Sequence, residues 1–256
     1  MPVARTPLDL EVALRSRRDA GHKLLVPYVC GGADDQWLLT LEAIADAGAD
    51  AIEVGIPFSD PMIDGPTIQE ASRRALERGT TPDGIIADLS RLELGVPLLV
   101  MTYYNIFLRA GHTRMAGMLA EAGVAGAIVP DLPLEELGPW AAAAGPAGVA
   151  TVLLVAPSTP DDRVHAICER SSGFVYAVGR MGVTGERAVL ADSARAVAER
   201  VRSATDLPVC VGIGISNPEQ AVRVCEVADG VVVGSALVRR LLEGEGPEGA
   251  AEFVGS

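Results

Sequence analysis

The sequence predicts an α/β protein folded as a single (β/α)8 TIM barrel with an extra N-terminal helix, one domain over residues 1–256. Three observations predict it. Eight short β-branched or aliphatic runs alternate with longer segments of helical period, without a linker or a break in composition. The runs are continuously apolar rather than alternating, which suits parallel strands covered on both faces. No G-x-G-x-x-G follows the first run, which disfavours the competing open, doubly wound sheet.

A helix over 7–19 precedes the first strand. The strands are expected at 24–30, 51–54, 98–102, 127–129, 149–155, 174–178, 208–212 and 230–233. Between them, helical periods run over 34–47, 67–78, 113–122, 160–170, 190–204 and 217–226. In the 34–47 segment Leu39, Ala43, Ile44 and Ala47 share one face at i, i+4, i+5 and i+8. Three phrases recur where a helix ends among small residues and a strand begins at once: Ala47-Gly48-Ala49-Asp50-Ala51-Ile52, Ala122-Gly123-Val124-Ala125-Gly126-Ala127-Ile128 and Val227-Ala228-Asp229-Gly230-Val231-Val232. Residues 137–160 carry no charge and are long enough to span a bilayer. Pro139, Gly145, Pro146, Gly148 and Pro157 punctuate them, so they read as a buried helix–turn–strand unit.

Composition narrows the function classes. With 21 Lys and Arg against 34 Asp and Glu, the net charge is −13, unsuited to nucleic acid or an anionic membrane. Only 4% of residues are aromatic, too few for a base-stacking surface. An anionic ligand must therefore be held locally, by backbone amides or a few arginines. Cys30, Cys168, Cys210 and Cys225 show no C-x-x-C spacing and read as buried thiols in a reducing compartment. The first residues lack an apolar signal region, so a cytoplasmic protein is expected.

In a barrel of this kind chemistry belongs where strands end and βα loops begin. Glu53 lies inside the apolar second strand, where a charge is costly unless paired or functional. Strand alternation aims it into the barrel mouth if Ile52 and Val54 face the helices. The proline-stiffened loop after it carries Asp60 and Asp64, each a catalytic candidate or a turn residue. The seventh strand runs into Gly212-Ile213-Gly214-Ile215-Ser216, and the eighth into Gly234-Ser235 at the start of a helix. Loops after strands 7 and 8 are this fold's recurrent phosphate site. The segment from Arg180 to Arg187, with Gly182 and Gly185, reads as a mobile lid whose Gly185 amide adds to the anion site.

Other chemistries fit poorly. Lys23, the single lysine, enters the first strand at the opposite end of the barrel, away from where a Schiff base would form. His22, His112 and His165 are scattered, so no metal site is expected. What remains is acid/base work by carboxylates, with Tyr103 or Tyr176 as further participants or simply packed aromatics.

The run IEVGIPFSDPMIDGPTIQEA, the exit MTYYN from the third strand, VPDLP (129–133), GVTG in the lid and the pair GIGIS/VVVGSA together resemble the tryptophan synthase α subunit family, in order over residues 7–243. The PFSDP…DGPTIQ element is highly specific. The resemblance implies retro-aldol cleavage of indole-3-glycerol phosphate to indole and glyceraldehyde 3-phosphate, with no cofactor in this chain. It implies that Glu53 handles protons at the glycerol hydroxyl and indole C3. Asp64 would take the indole N–H, with Tyr176 beside both. Gly185, Gly212, Gly214, Gly234 and Ser235 would cradle the phosphate, and Thr184 in the lid would help order a carboxylate. The family docks a pyridoxal-phosphate β subunit through the loops after strands 2 and 3. Three departures stand out: Cys30-Gly31-Gly32-Ala33-Asp34-Asp35 replaces a Gly-Asp-Pro turn, Ile106 follows Asn105 where proline is usual, and Gly179 stands where serine is usual. They bear on the partnership more than on the reaction. The alternatives are a stand-alone lyase releasing free indole, a barrel that only activates a β subunit, and another phosphosugar enzyme such as an isomerase.

Overall fold

The computed structural model describes residues 8–179, 187–212 and 214–256, with backbone alone over 187–192. Helix α1 (Leu10–Asp19) leads into β1 (Leu24–Cys30) and α2 (Trp37–Asp46); β2 (Ile52–Gly55) is followed by α3 (Pro66–Glu77) and α4 (Pro82–Leu89). β3 (Leu98–Met101) precedes α5 (Tyr104–Ala110) and α6 (His112–Glu121), and β4 (Val124–Ile128) precedes a 3-10 turn (Leu134–Glu136) and α7 (Gly138–Ala144). β5 (Ala150–Val155) and α8 (Asp161–Arg170), β6 (Val175–Val178) and α9 (Arg187–Arg202), and β7 (Val209–Gly212) and α10 (Pro218–Cys225) continue the alternation. β8 (Gly230–Val233), α11 (Ser235–Leu242) and α12 (Gly246–Gly255) end it. All strands are parallel, and β8 pairs back onto β1, closing the barrel and excluding the open sheet.

Strand alternation divides the core into two shells. Leu24, Val26, Leu99, Ile128, Val152 and Phe174 point inward, and Leu10 and Leu14 of α1 plug the end where the strands begin. Ile52, Val54, Val100, Val175, Val211 and Val231 point outward under the helices. Each fully buried aliphatic side chain contributes roughly 1.5–3 kcal/mol. Pro and Gly breaks leave 137–160 as α7 and β5, and no described helix is long and apolar enough to cross a membrane.

The recurring phrase before the strands has a second purpose. Asp50, just before β2, accepts the Leu25 N–H of β1 at 2.8 Å, and Asp229, just before β8, accepts the Val209 N–H of β7 at 2.9 Å. Ser172, ahead of β6, accepts the Thr151 N–H of β5 at 2.7 Å. A buried amide without an acceptor is costly, so each side chain closes a donor at the edge of the ladder. Arg17 of α1 also donates to Asp50 at 2.7 Å, tying the plug to the rim. Lys23 sits at this same end, its Nζ donating to Ala228 O at 3.0 Å.

The structure corrects the expected face of α2. Trp37, Thr40, Leu41 and Ile44 are buried, whereas Leu39 is 53% exposed. The helix packs on α12, which composition alone did not reveal, and that neighbour decides its rotation. β4 begins three residues earlier than expected, immediately after Gly123. Helices α4 and α5 add to the expected set: α4 has its signal in Thr81, whose Oγ1 accepts the Gly84 N–H at 3.1 Å, followed by proline at the first helical position.

Candidate active site

Glu53 is 1% exposed and points inward between the outward-facing Ile52 and Val54. Its Oε2 is buried without a hydrogen-bond partner, and no arginine among the described residues pairs with it. Loss of hydration, reinforced by the negative charge of Asp64, pushes its carboxyl up to about 8. A carboxyl so placed holds its proton near neutrality yet can give it up.

The loop after β2 brings Asp64 to the same cavity. Tyr103, which precedes α5 at the end of β3, holds this loop with one hydroxyl. Its Oη accepts from the Ile63 N–H at 3.0 Å and the Asp64 N–H at 3.3 Å, and donates to Asp64 Oδ2 at 3.1 Å. The Tyr103 ring stacks on Phe58 at 5.0 Å, and Thr102 Oγ1 donates to Ile56 O at 2.9 Å. Burial raises the Asp64 pKa, and the Tyr103 hydrogen bond opposes it. Tyr103 thus fixes Asp64 and its loop from the end of β3. Asp60 is exposed, accepts from Ser59 Oγ at 2.5 Å, and does not line the cavity.

Tyr176 of β6 faces inward opposite, and burial together with the Glu53 charge raises its pKa well above the ordinary value, keeping the phenol a donor. Its ring lies across Gly212 on β7, where an added Cβ would stand 2.0 Å from Tyr176 Oη. Tyr28 of β1 repeats this arrangement over Gly55 of β2, where the corresponding distance is 1.9 Å. These two glycines make room for phenols. Gly212 therefore stands behind Tyr176 rather than lining the cavity. Tyr28 is paired in register with Glu53, lines the cavity, and was not singled out from sequence. Counting two residues along β1 from the inward Val26 would have found it.

The cavity, about 430 Å³, runs from these carboxylates to the loops after β7 and β8. Its middle is apolar, walled by Ile68, Met101, Leu154, Val178 and Val232, and so suited to a flat ring. Its far end holds Gly214, Ser216, Gly234 and Ser235. Gly214 adopts φ +88°, a conformation side chains disfavour, and Ser235 is the first residue of α11, where free amides attract an anion. Arg239, one turn further along α11, also lines the cavity and was missed; its spacing of four from Ser235 was the available signal. Arg180, Thr184 and Gly185 lie outside the described residues.

The family model for the tryptophan synthase alpha chain matches residues 14–253. The chain is 44% identical over 253 residues to the tryptophan synthase alpha chain of Streptomyces avermitilis, covering 96% of this chain and 90% of that protein. It is 47% identical over 235 residues to that of Streptomyces coelicolor, covering 90% and 83%. A ligand-free tryptophan synthase structure from M. tuberculosis superposes with a TM-score of 0.87 at 36% identity, covering 96% of each chain.

Proposed function

The chain belongs to the tryptophan synthase alpha chain family, and from that premise we propose that Glu53 and Asp64 divide the proton transfers by which it cleaves indole-3-glycerol phosphate. The enzyme is a lyase yielding indole and glyceraldehyde 3-phosphate. The observation that carries the assignment is the buried Glu53 carboxyl, with Oε2 free of any hydrogen-bond partner and its proton held up to about 8, sharing one cavity with Asp64.

The bond to be broken joins indole C3 to the hydroxyl-bearing carbon of the glycerol chain. Asp64 accepts the indole N–H proton, pushing electrons toward C3, which takes the proton of the Glu53 carboxyl. The carboxylate then removes the glycerol hydroxyl proton. A carbonyl forms, the C–C bond breaks, and its electron pair returns through the ring to the nitrogen, which recovers its proton from Asp64. Glu53 ends protonated, and the cycle balances. Tyr176, neutral and adjacent, donates a hydrogen bond to oxygen as its charge develops. The amides around Gly214, Gly234 and Ser235 hold the phosphate.

The chain works in the cytoplasm alongside a pyridoxal-phosphate β subunit. Support for that partnership is the apolar rim of the mouth, where Met62 is 85% and Leu108 58% exposed on the loop after β2 and on α5. The test is indole release from indole-3-glycerol phosphate by the purified chain, with and without the β subunit. Indole formed by the chain and accelerated by the partner is expected. No indole under either condition would overturn the reading.

A further inference from the structure

The cavity presents an electrostatic problem. Glu53 and Asp64 line it, the chain carries a net −13, and the substrate brings a phosphate dianion. Backbone amides offer only partial charges. Among the described residues, Arg239 is the one Arg, Lys or His residue in the cavity lining.

Its surroundings leave it uncommitted. Arg240, the next residue, is bound to Glu245 at 2.6 Å and lies over the Phe253 ring at 5.6 Å. Arg74 on the adjacent α3 is held by Glu70 at 2.9 Å and by Leu242 O at 3.2 Å. The Arg239 guanidinium makes no ion pair or hydrogen bond with any described residue. Helix geometry aims it usefully. Side chains tilt toward the helix N-terminus, so a residue four after Ser235 leans over the first turn. There the amide of Val238 is the first of α11 bonded within the helix, to Gly234 O at 2.9 Å, leaving those of Ser235 and Ala236 ahead of it for a ligand.

We propose that Arg239 supplies the counter-charge for the substrate phosphate, a specificity-determining residue that joins the first amides of α11 in selecting a phosphomonoester dianion. The inference rests on the lyase reading of this cavity. It separates two duties: carboxylates at one end do the chemistry, and a guanidinium at the other pulls the dianion in against a negative protein. Because the side chain is exposed, its effect is on binding, modest and sensitive to salt.

The test is Arg239→Gln and Arg239→Lys in the full chain, with thermal unfolding to verify folding. Arg239→Gln should raise KM for indole-3-glycerol phosphate about tenfold and leave kcat within about twofold, because a charge-assisted hydrogen bond to the phosphate serves ground state and transition state equally. The dissociation constant for inorganic phosphate, titrated directly, should rise by a similar factor. Arg239→Lys should recover most of both, and added salt should narrow the gap between wild type and Arg239→Gln. Unchanged phosphate affinity in Arg239→Gln, or equal loss in the lysine variant, would overturn the proposal. Phosphate titration needs no turnover: a wild type that binds phosphate through Arg239 but releases no indole would sink the lyase reading and leave this one standing.

Discussion

Both ends of the barrel bury carboxylates, and they are used in opposite ways. Where the strands begin, Asp50 and Asp229 are each spoken for by a strand amide, and Asp50 by Arg17 as well. Leu10 and Leu14 seal that end with hydrocarbon. Toward the mouth, Glu53 is more deeply buried than either aspartate, yet one of its oxygens meets nothing. Burial with partners builds the scaffold. Burial without them stores a proton for use.

The comparison breaks most sharply at Glu53. Glu53→Gln should lower kcat at least about a thousandfold, the upper part of what positioned acid/base groups contribute, with the fold intact by circular dichroism. Near-normal turnover would return Glu53 to the scaffold class. Asp64→Asn should cost about a hundredfold or more in kcat with little change in KM; a defect confined to KM would contradict its role as a proton acceptor.

The pH dependence sharpens the contrast. In the proposed cycle the first step uses the acid form of Glu53, so kcat/KM should decline as pH rises through about 8. Stability should follow the same group. The folded chain keeps this proton up to about 8, whereas an unfolded glutamate releases it near 4.5. The native state therefore holds more protons across that window, and stability falls as pH rises through it. Between about pH 5 and 9 the wild type should lose on the order of a few kcal/mol that Glu53→Gln does not lose. Parallel melting curves for the two proteins at high pH would contradict the buried, unpaired state.

Asp50→Ala reverses the pattern. It should destabilise by about 1–3 kcal/mol, because the Leu25 amide loses its acceptor, with kcat unchanged in the surviving fold. Tyr103→Phe lies between the two classes. It frees the Ile63 and Asp64 amides and the Asp64 carboxylate together, so kcat should fall about tenfold while phosphate affinity holds.

Much of the mouth was legible because barrel architecture and strand alternation convert position into direction. An acid inside an apolar run pointed to Glu53, whereas the stiff loop after it offered Asp60 and Asp64 alike, and only the family resemblance chose Asp64. Gly234 and Ser235 were legible for the same reason, as strand end and helix start. Gly212 was not: its missing Cβ accommodates the Tyr176 ring of the neighbouring strand, a cross-strand approach that residue order does not contain. Tyr28 lay inside the expected first strand as one residue of a continuous apolar run, and Arg239 in a helix where most charged residues face water.

By itself the sequence determined the alternation of strands and helices, the barrel, and which acids stand at strand ends, because periodicity and turn chemistry are local and survive reading along the chain. Only the tertiary structure decided that Glu53 Oε2 is left without a hydrogen-bond partner while Asp50 and Asp229 are engaged, that Tyr103 staples a loop forty residues away, and that α2 turns Leu39 to solvent. Hydrogen-bond satisfaction and helix rotation depend on neighbours brought together by closure of the barrel, and no spacing along the chain encodes which groups will be left over.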